Sequence, residues 1–172
     1  MNIETLAAKE AIRDNIFRYC RVLDRMDKQG AYALWNEGSK TLYHGIYEGT
    51  GPGFIDWVWE SHSMMERHSH QITNVIIEVD GDTAISESYV TVTLWMPTDD
   101  KDKVLEIVSR GRYLDNWSVQ PGSDGKPRWG IDRRENVTDL QTETLVKRGN
   151  LPDGSRRDEQ DPLYALLTGK SA

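Results

Sequence analysis

Residues 71–97 read QITNVIIEVDGDTAISESYVTVTLWMP. Two runs rich in Val, Ile, Thr and Tyr, 71–79 and 83–97, flank the polar tripeptide DGD at 80–82. β-Branched and aromatic residues suit a pleated, half-buried surface, and Asp-Gly suits the positive φ angles of a tight hairpin turn. The stretch therefore reads as an antiparallel hairpin with a long second arm. VLEIVSRGRYLDNWSV at 104–119 and RWGIDRRENVTDLQT at 128–142 read as further strands. TDDKDK and QPGSDGKP are the polar connections before each. Together these runs make a meander of four strands.

Upstream the period changes. In 4–24, Ile12, Ile16, Tyr19 and Leu23 recur at helical spacing with Cys20 beside them, and charged residues fill the opposite side. Asp24 falls at the margin of that apolar face, one turn beyond Cys20, which is an unusual place for a carboxylate. DKQGAYALWNEG at 27–38 reads as a short second helix ending near Gly38. KTLYHGIYEGTGPG at 40–53 reads as a strand and a glycine-rich turn. FIDWVWESHSMMERH at 54–68 reads as a third helix. Helices gathered at one end and antiparallel strands at the other define an α+β class. The segment after residue 145 is rich in Gly, Pro and charge until DPLYALL at 161–167, which predicts a short terminal helix on an irregular extension.

The 172 residues suit one domain with a real core. A formal net charge of -7 disfavours a phosphate backbone, so nucleic acid is not an expected partner. One cysteine, Cys20, excludes an intramolecular disulfide and a thiolate zinc site, and its place in the apolar stripe makes it a core residue. The N-terminus carries acids early and has no long apolar run, so neither a signal peptide nor a membrane span is expected, and the cytoplasm is the expected compartment. No GxGxxG, HExxH or acidic ligand loop occurs, so no nucleotide fold, metal or other cofactor is expected.

Element order and joint residues together resemble a known superfamily. FRYCRVLDRMD at 17–27, ALW at 33–35, HGIYEG at 44–49, HSHQITNVIIEVDGDTA at 68–84 and GRYLDNW at 111–117 carry the resemblance. It is to the nuclear-transport-factor-2-like superfamily, and within it to the SnoaL-like branch, which includes scytalone dehydratase, hexachlorocyclohexane dehydrochlorinase and bile-acid 7α-dehydratase. The resemblance implies a cone-shaped α+β barrel, in which a strongly bent, mostly antiparallel sheet wraps an N-terminal helix. It divides the chain into a cone domain at 1–145 and an irregular extension of the same domain at 146–172.

By the same resemblance the site aspartate falls on Asp24, the site histidine on His70 rather than His68, and a site tyrosine on Tyr19. A late-strand arginine of the dehydrochlorinase has two candidates here, Arg112 and Arg133. Imidazole is well matched to taking a proton near neutral pH, and a carboxylate on one ring nitrogen fixes its tautomer. Tyr19 can donate to a departing oxygen. His44, Tyr43, Trp59, Arg112 and Asn74 are the expected substrate contacts, Asn74 because it shares strand parity with His70. His62 is expected at the surface, and His68 at the C-terminal end of the third helix. Six tryptophans suit a hydrophobic, aromatic or polycyclic substrate.

Two classes of function are open. One is a cofactor-free lyase releasing water, halide or a small aldehyde, with isomerisation or cyclisation by the same proton chemistry as its neighbour. The other is a non-catalytic module, either a small-ligand binder or a scaffold like the β subunit of ring-hydroxylating dioxygenases. The resemblance also implies a homo-oligomer, trimer or dimer, assembled through the outer face of the sheet.

Overall fold

The computed structural model describes residues 2–122, 124–149 and 154–169. Its elements in chain order are α1 (Ile3–Asp24), α2 (Lys28–Tyr32), β1 (Trp35–Tyr43), β2 (Tyr47–Thr50), α3 (Gly51–Ser63), β3 (Arg67–Asp80), β4 (Thr83–Pro97), β5 (Lys103–Pro121), β6 (Pro127–Lys147) and α4 (Pro162–Leu167). One six-stranded sheet has the order β2-β1-β6-β5-β4-β3. Its neighbours are antiparallel except β1 and β6, which run parallel. The sheet curls around α1 without closing. Ile12, Ile16, Tyr19 and Leu23 of α1 are buried in one core with Ile77, Val90, Tyr113, Trp117 and Ile131 of the sheet. This is the expected α+β cone.

The four-strand meander stands as expected, with each strand equal to or longer than its sequence signal. The β3–β4 turn carries Gly81 at φ 56°, where a side chain would be strained. The first third of the chain needs correction. The second helix stops at Tyr32, and residues expected to extend it open β1 instead. Burial explains the change. Trp35, Asn36, Ser39 and Thr41 are all buried, and the Asn36 amide donates to the Gly130 carbonyl at 3.1 Å and to Asp132 at 2.8 Å. These are pairings across the sheet that a helix could not make.

The segment 40–53 is not one strand. It is a β1–β2 hairpin turning at Gly45, and its glycine-rich end begins α3, with the Thr50 hydroxyl accepting from the Gly53 amide at 3.1 Å. α3 stops at Ser63, so His68 lies on β3 rather than at a helix terminus. The expected terminal helix forms as α4, capped by Asp161. Within the extension, residues 150–153 and 170–172 lie outside the described residues.

A left-handed residue fixes the end of α1. Met26 takes φ 55°, the Asp27 amide donates to the Val22 carbonyl at 2.8 Å, and the Met26 amide donates to the Leu23 carbonyl at 3.1 Å. This is a Schellman termination with Met where glycine is usual, at a cost of about 1–2 kcal/mol. It leaves Asp24 as the last helical residue, facing β3.

Candidate functional site

Asp24 reaches His70 across the α1–β3 packing. Its Oδ1 lies 2.7 Å from His70 Nδ1, and its Oδ2 accepts the His70 backbone amide at 3.0 Å. The Asp24 and His70 side chains are 13% and 5% exposed. A carboxylate accepts only, so Nδ1 carries the proton, and Nε2 is the basic nitrogen of the ring. His70 lines a cavity of about 160 Å³ inside the cone.

Tyr19 and Tyr43 line the same cavity, with hydroxyls 3.2 Å apart. Burial raises the pKa of Tyr19, and that of Tyr43 more strongly, so both remain phenols able to donate. One wall is an α3 stripe of Phe54, Trp57, Val58, Ser61 and His62, with Met65 just beyond the helix. Burial and then the neighbouring His68 push the pKa of His62 down to about 2, so this second imidazole stays neutral, and its Nδ1 has no hydrogen-bond partner among the described residues. His62 is therefore not a surface residue. The stripe repeats every three to four residues, which is the sign of its orientation that the sequence offers.

Beneath Tyr19 lies a buried ion pair. Arg134 Nε and Nη2 each donate to Asp115 at 2.7 Å, with both side chains 0% exposed. The guanidinium carbon sits 4.1 Å from the ring centroids of both Tyr19 and Tyr113. Burial opposes the charge, but Asp115 holds Arg134 in its cationic form. Cys20 is buried nearby, and burial, reinforced by the Asp24 charge, raises its thiol pKa to about 12, which suits an inert core residue.

Of the expected contacts, Asp24, His70, Tyr19 and Tyr43 converge. The others do not. Arg112 lies on the outer face, held by Glu87 at 3.0 Å and by both oxygens of Asp139 at 3.0 Å, because Tyr113 takes the inward position of that strand. Arg133 is exposed and bonded to Glu135. An extra residue, Asp132, bulges from β6 opposite the Asn116–Trp117 step and turns Arg134 inward in its place. Asn74 is exposed because a bulge between Ile72 and Val75 breaks the parity that would align it with His70. His44 is exposed and bonded to Glu135 at 2.8 Å. Trp59 lies off the α3 stripe, and Trp57 lines the cavity instead.

Among the described residues, no group of His, Cys, Asp and Glu is arranged to hold a metal ion, and no helix is long and apolar enough to cross a membrane. No curated protein matches the chain significantly. Solved structures do. A putative scytalone dehydratase from Novosphingobium aromaticivorans superposes with a TM-score of 0.68 at 23% identity, covering 87% of this chain and 95% of that one. A type 3 hexachlorocyclohexane dehydrochlorinase from Novosphingobium barchaimii superposes at 0.71 with 17% identity, covering 86% and 97%. A protein of unknown function from Mycobacterium tuberculosis superposes at 0.58 with 27% identity, covering 75% and 74%. The SnoaL-like domain family matches residues 4–135, so the chain belongs to that family.

Proposed function

We propose that this protein is a lyase that needs no cofactor and works by proton transfer on a neutral, hydrophobic small molecule. The observation that carries the reading is the 2.7 Å contact of Asp24 with His70 beside an unfilled cavity. In this reading His70 Nε2 removes a proton from the substrate. Asp24 holds the ring and stabilises the imidazolium that forms. Tyr19, with Tyr43 behind it, donates to the departing or developing oxygen. The Arg134 charge under the Tyr19 ring favours negative charge building above it.

The leaving group is water, halide or a small aldehyde, and isomerisation or cyclisation draws on the same base. Among the described residues, no Asp, Glu, Lys or Arg lines the cavity, which supports an uncharged substrate. An apolar cavity of about 150 Å³ accommodates benzene, while drug-sized ligands occupy about 300–1,000 Å³. The size therefore supports one ring held inside, with the rest of any polycyclic substrate in the mouth. A scaffold role would predict a cone packed solid, so the converging polar groups favour the enzyme. Exposed Ile76, Ile85 and Tyr89 on the outer face support assembly of copies through the sheet.

The test is a panel of hydroxylated and halogenated aromatic and polycyclic compounds, with mass spectrometry following loss of water, halide or aldehyde. His70→Ala should remain folded and lose about a hundred-fold or more of the turnover. Turnover unchanged in His70→Ala refutes the assignment, and a silent panel in the wild type moves the reading to ligand binding.

A further inference from the structure

The dyad is backed by a third imidazole that the proposed chemistry does not use. His68 is buried on β3, two residues before His70, with ring centroids 6.1 Å apart. Its Nε2 lies 2.9 Å from the Leu23 carbonyl, one residue before Asp24. A carbonyl only accepts, so Nε2 carries a proton. Its Nδ1 lies 3.4 Å from Nη1 of Arg157, which reaches in from the C-terminal extension and also donates to the His62 carbonyl at 3.0 Å. A guanidinium only donates, so Nδ1 must offer a lone pair. The two contacts together admit one state of the ring, the neutral Nε2–H tautomer.

The segment that delivers Arg157 is pinned. The Arg156 carbonyl accepts from Arg25 at 2.9 Å, and the Arg156 amide donates to Asp161 at 3.2 Å. Asp161 also lies 3.4 Å from Arg25 and caps α4 through the Leu163 amide at 3.1 Å. Arg25 is the residue after Asp24. The extension is thus tied to the end of the helix that carries the dyad aspartate, and the Arg157 guanidinium rests on the His62 carbonyl at the C-terminal end of α3, where a cation is favoured.

We propose that Arg157 is a positioning residue which keeps His68 neutral, so that the Asp24 carboxylate serves His70 alone. The functional meaning rests on the lyase reading. The contact network does not. The groups facing His68 are Asp24 at the end of α1, His62 on α3, His70 on its own strand and Arg157 on the extension, with Arg67 beside Arg157. Asp24 would draw a proton onto His68 if Arg157 were absent. An imidazolium there would share the carboxylate and oppose charging of His70. Burial already disfavours the charged His68 ring, and the Arg157 guanidinium, at its second nitrogen, opposes a further positive charge there.

The experiment reads histidine ring nitrogens by long-range proton–nitrogen correlation in the full-length, substrate-free protein, between about pH 5 and pH 8 around the ordinary histidine midpoint. The chain has four histidines, and His68→Gln identifies the signal. In the wild type, His68 should show the neutral Nε2–H pattern throughout. In Arg157→Ala its titration should move up by about one pH unit into the range, and Arg157→Lys should restore most of the wild-type behaviour. Asp161→Ala, which keeps Arg157 but unties its segment, should move His68 in the same direction. A wild-type His68 that is doubly protonated near neutrality, that carries its proton on Nδ1, or that ignores Arg157→Ala overturns the proposal. These signals need no turnover, so failure of the lyase reading and failure of this one are separate results.

Discussion

The neutral state of His62 has a measurable consequence for stability. In the folded chain its pKa lies at about 2, while in the unfolded chain it returns to about 6.5. Above about pH 6.5 the ring is neutral in both states and contributes no pH dependence. Below that, the unfolded chain takes up a proton that the folded chain refuses. Stability then falls by about 1.4 kcal/mol per pH unit, and continues to fall until the pH approaches the folded value. Between pH 6.5 and pH 5 the loss from His62 alone is about 2 kcal/mol, a large part of a typical domain's reserve of about 5–15 kcal/mol. His68, lowered chiefly by burial, adds in the same direction over a window that opens at the same point. Ordinary carboxylates titrate near about pH 4, so this window belongs mostly to the histidines. Urea denaturation of the wild type and of His62→Gln at several pH values across it would separate the contribution. The variant is expected to lose about 2 kcal/mol less than the wild type on going from pH 6.5 to pH 5. Parallel stability curves for the two proteins would refute a neutral, buried His62.

Other consequences concern the floor and the seam of the cone. Arg134→Met should destabilise by about 3–5 kcal/mol, because it strands the Asp115 carboxylate in the interior; pairing it with Asp115→Leu should recover much of the loss in the same denaturation assay. Gly111→Ala should cost about 2–3 kcal/mol, read as a lowered thermal midpoint, because the added Cβ would fall 2.1 Å from the Val137 carbonyl oxygen at the β5–β6 register shift.

What the sequence discloses here depends on how far each signal travels along the chain. The meander is legible because alternation and the Asp-Gly turn are local and repeat through long strands. α1 is legible because Ile12, Ile16, Tyr19 and Leu23 repeat over several turns. The first third misleads where short polar segments are ruled by distant partners. Nothing near Asn36 reveals that its amide will bond to Gly130 and Asp132 on β6. Within the site, parity works only until a bulge intervenes. One extra residue at Asp132 exchanges Arg133 for Arg134, and one between Ile72 and Val75 removes Asn74 from the wall. Bulges gather where strands bend sharply, and a cone is made of such bends. The residues least legible from alternation are therefore those nearest the cavity.

The same geometry constrains what the cavity can bind. Among the described residues, charge inside the cone occurs in two committed sets. Both oxygens of Asp24 are used by His70, through its ring and its backbone amide, and both oxygens of Asp115 are used by Arg134. Neither carboxylate lines the cavity, and Arg134 is fully buried against two tyrosine rings, so neither set can anchor a charged ligand at the cavity surface. What lines the space is neutral: the Tyr19 and Tyr43 phenols, the uncharged His62, and Ser61 and Asn136 amid apolar walls. Binding must then come from apolar contact and hydrogen bonds, and on the lyase proposal the one strong polar event is proton transfer to His70. A ligand that arrived charged would lose its hydration without compensation, whereas one that becomes charged only during reaction meets groups already oriented for it. This difference between ground state and reacting state is what an acid–base catalyst of neutral molecules requires.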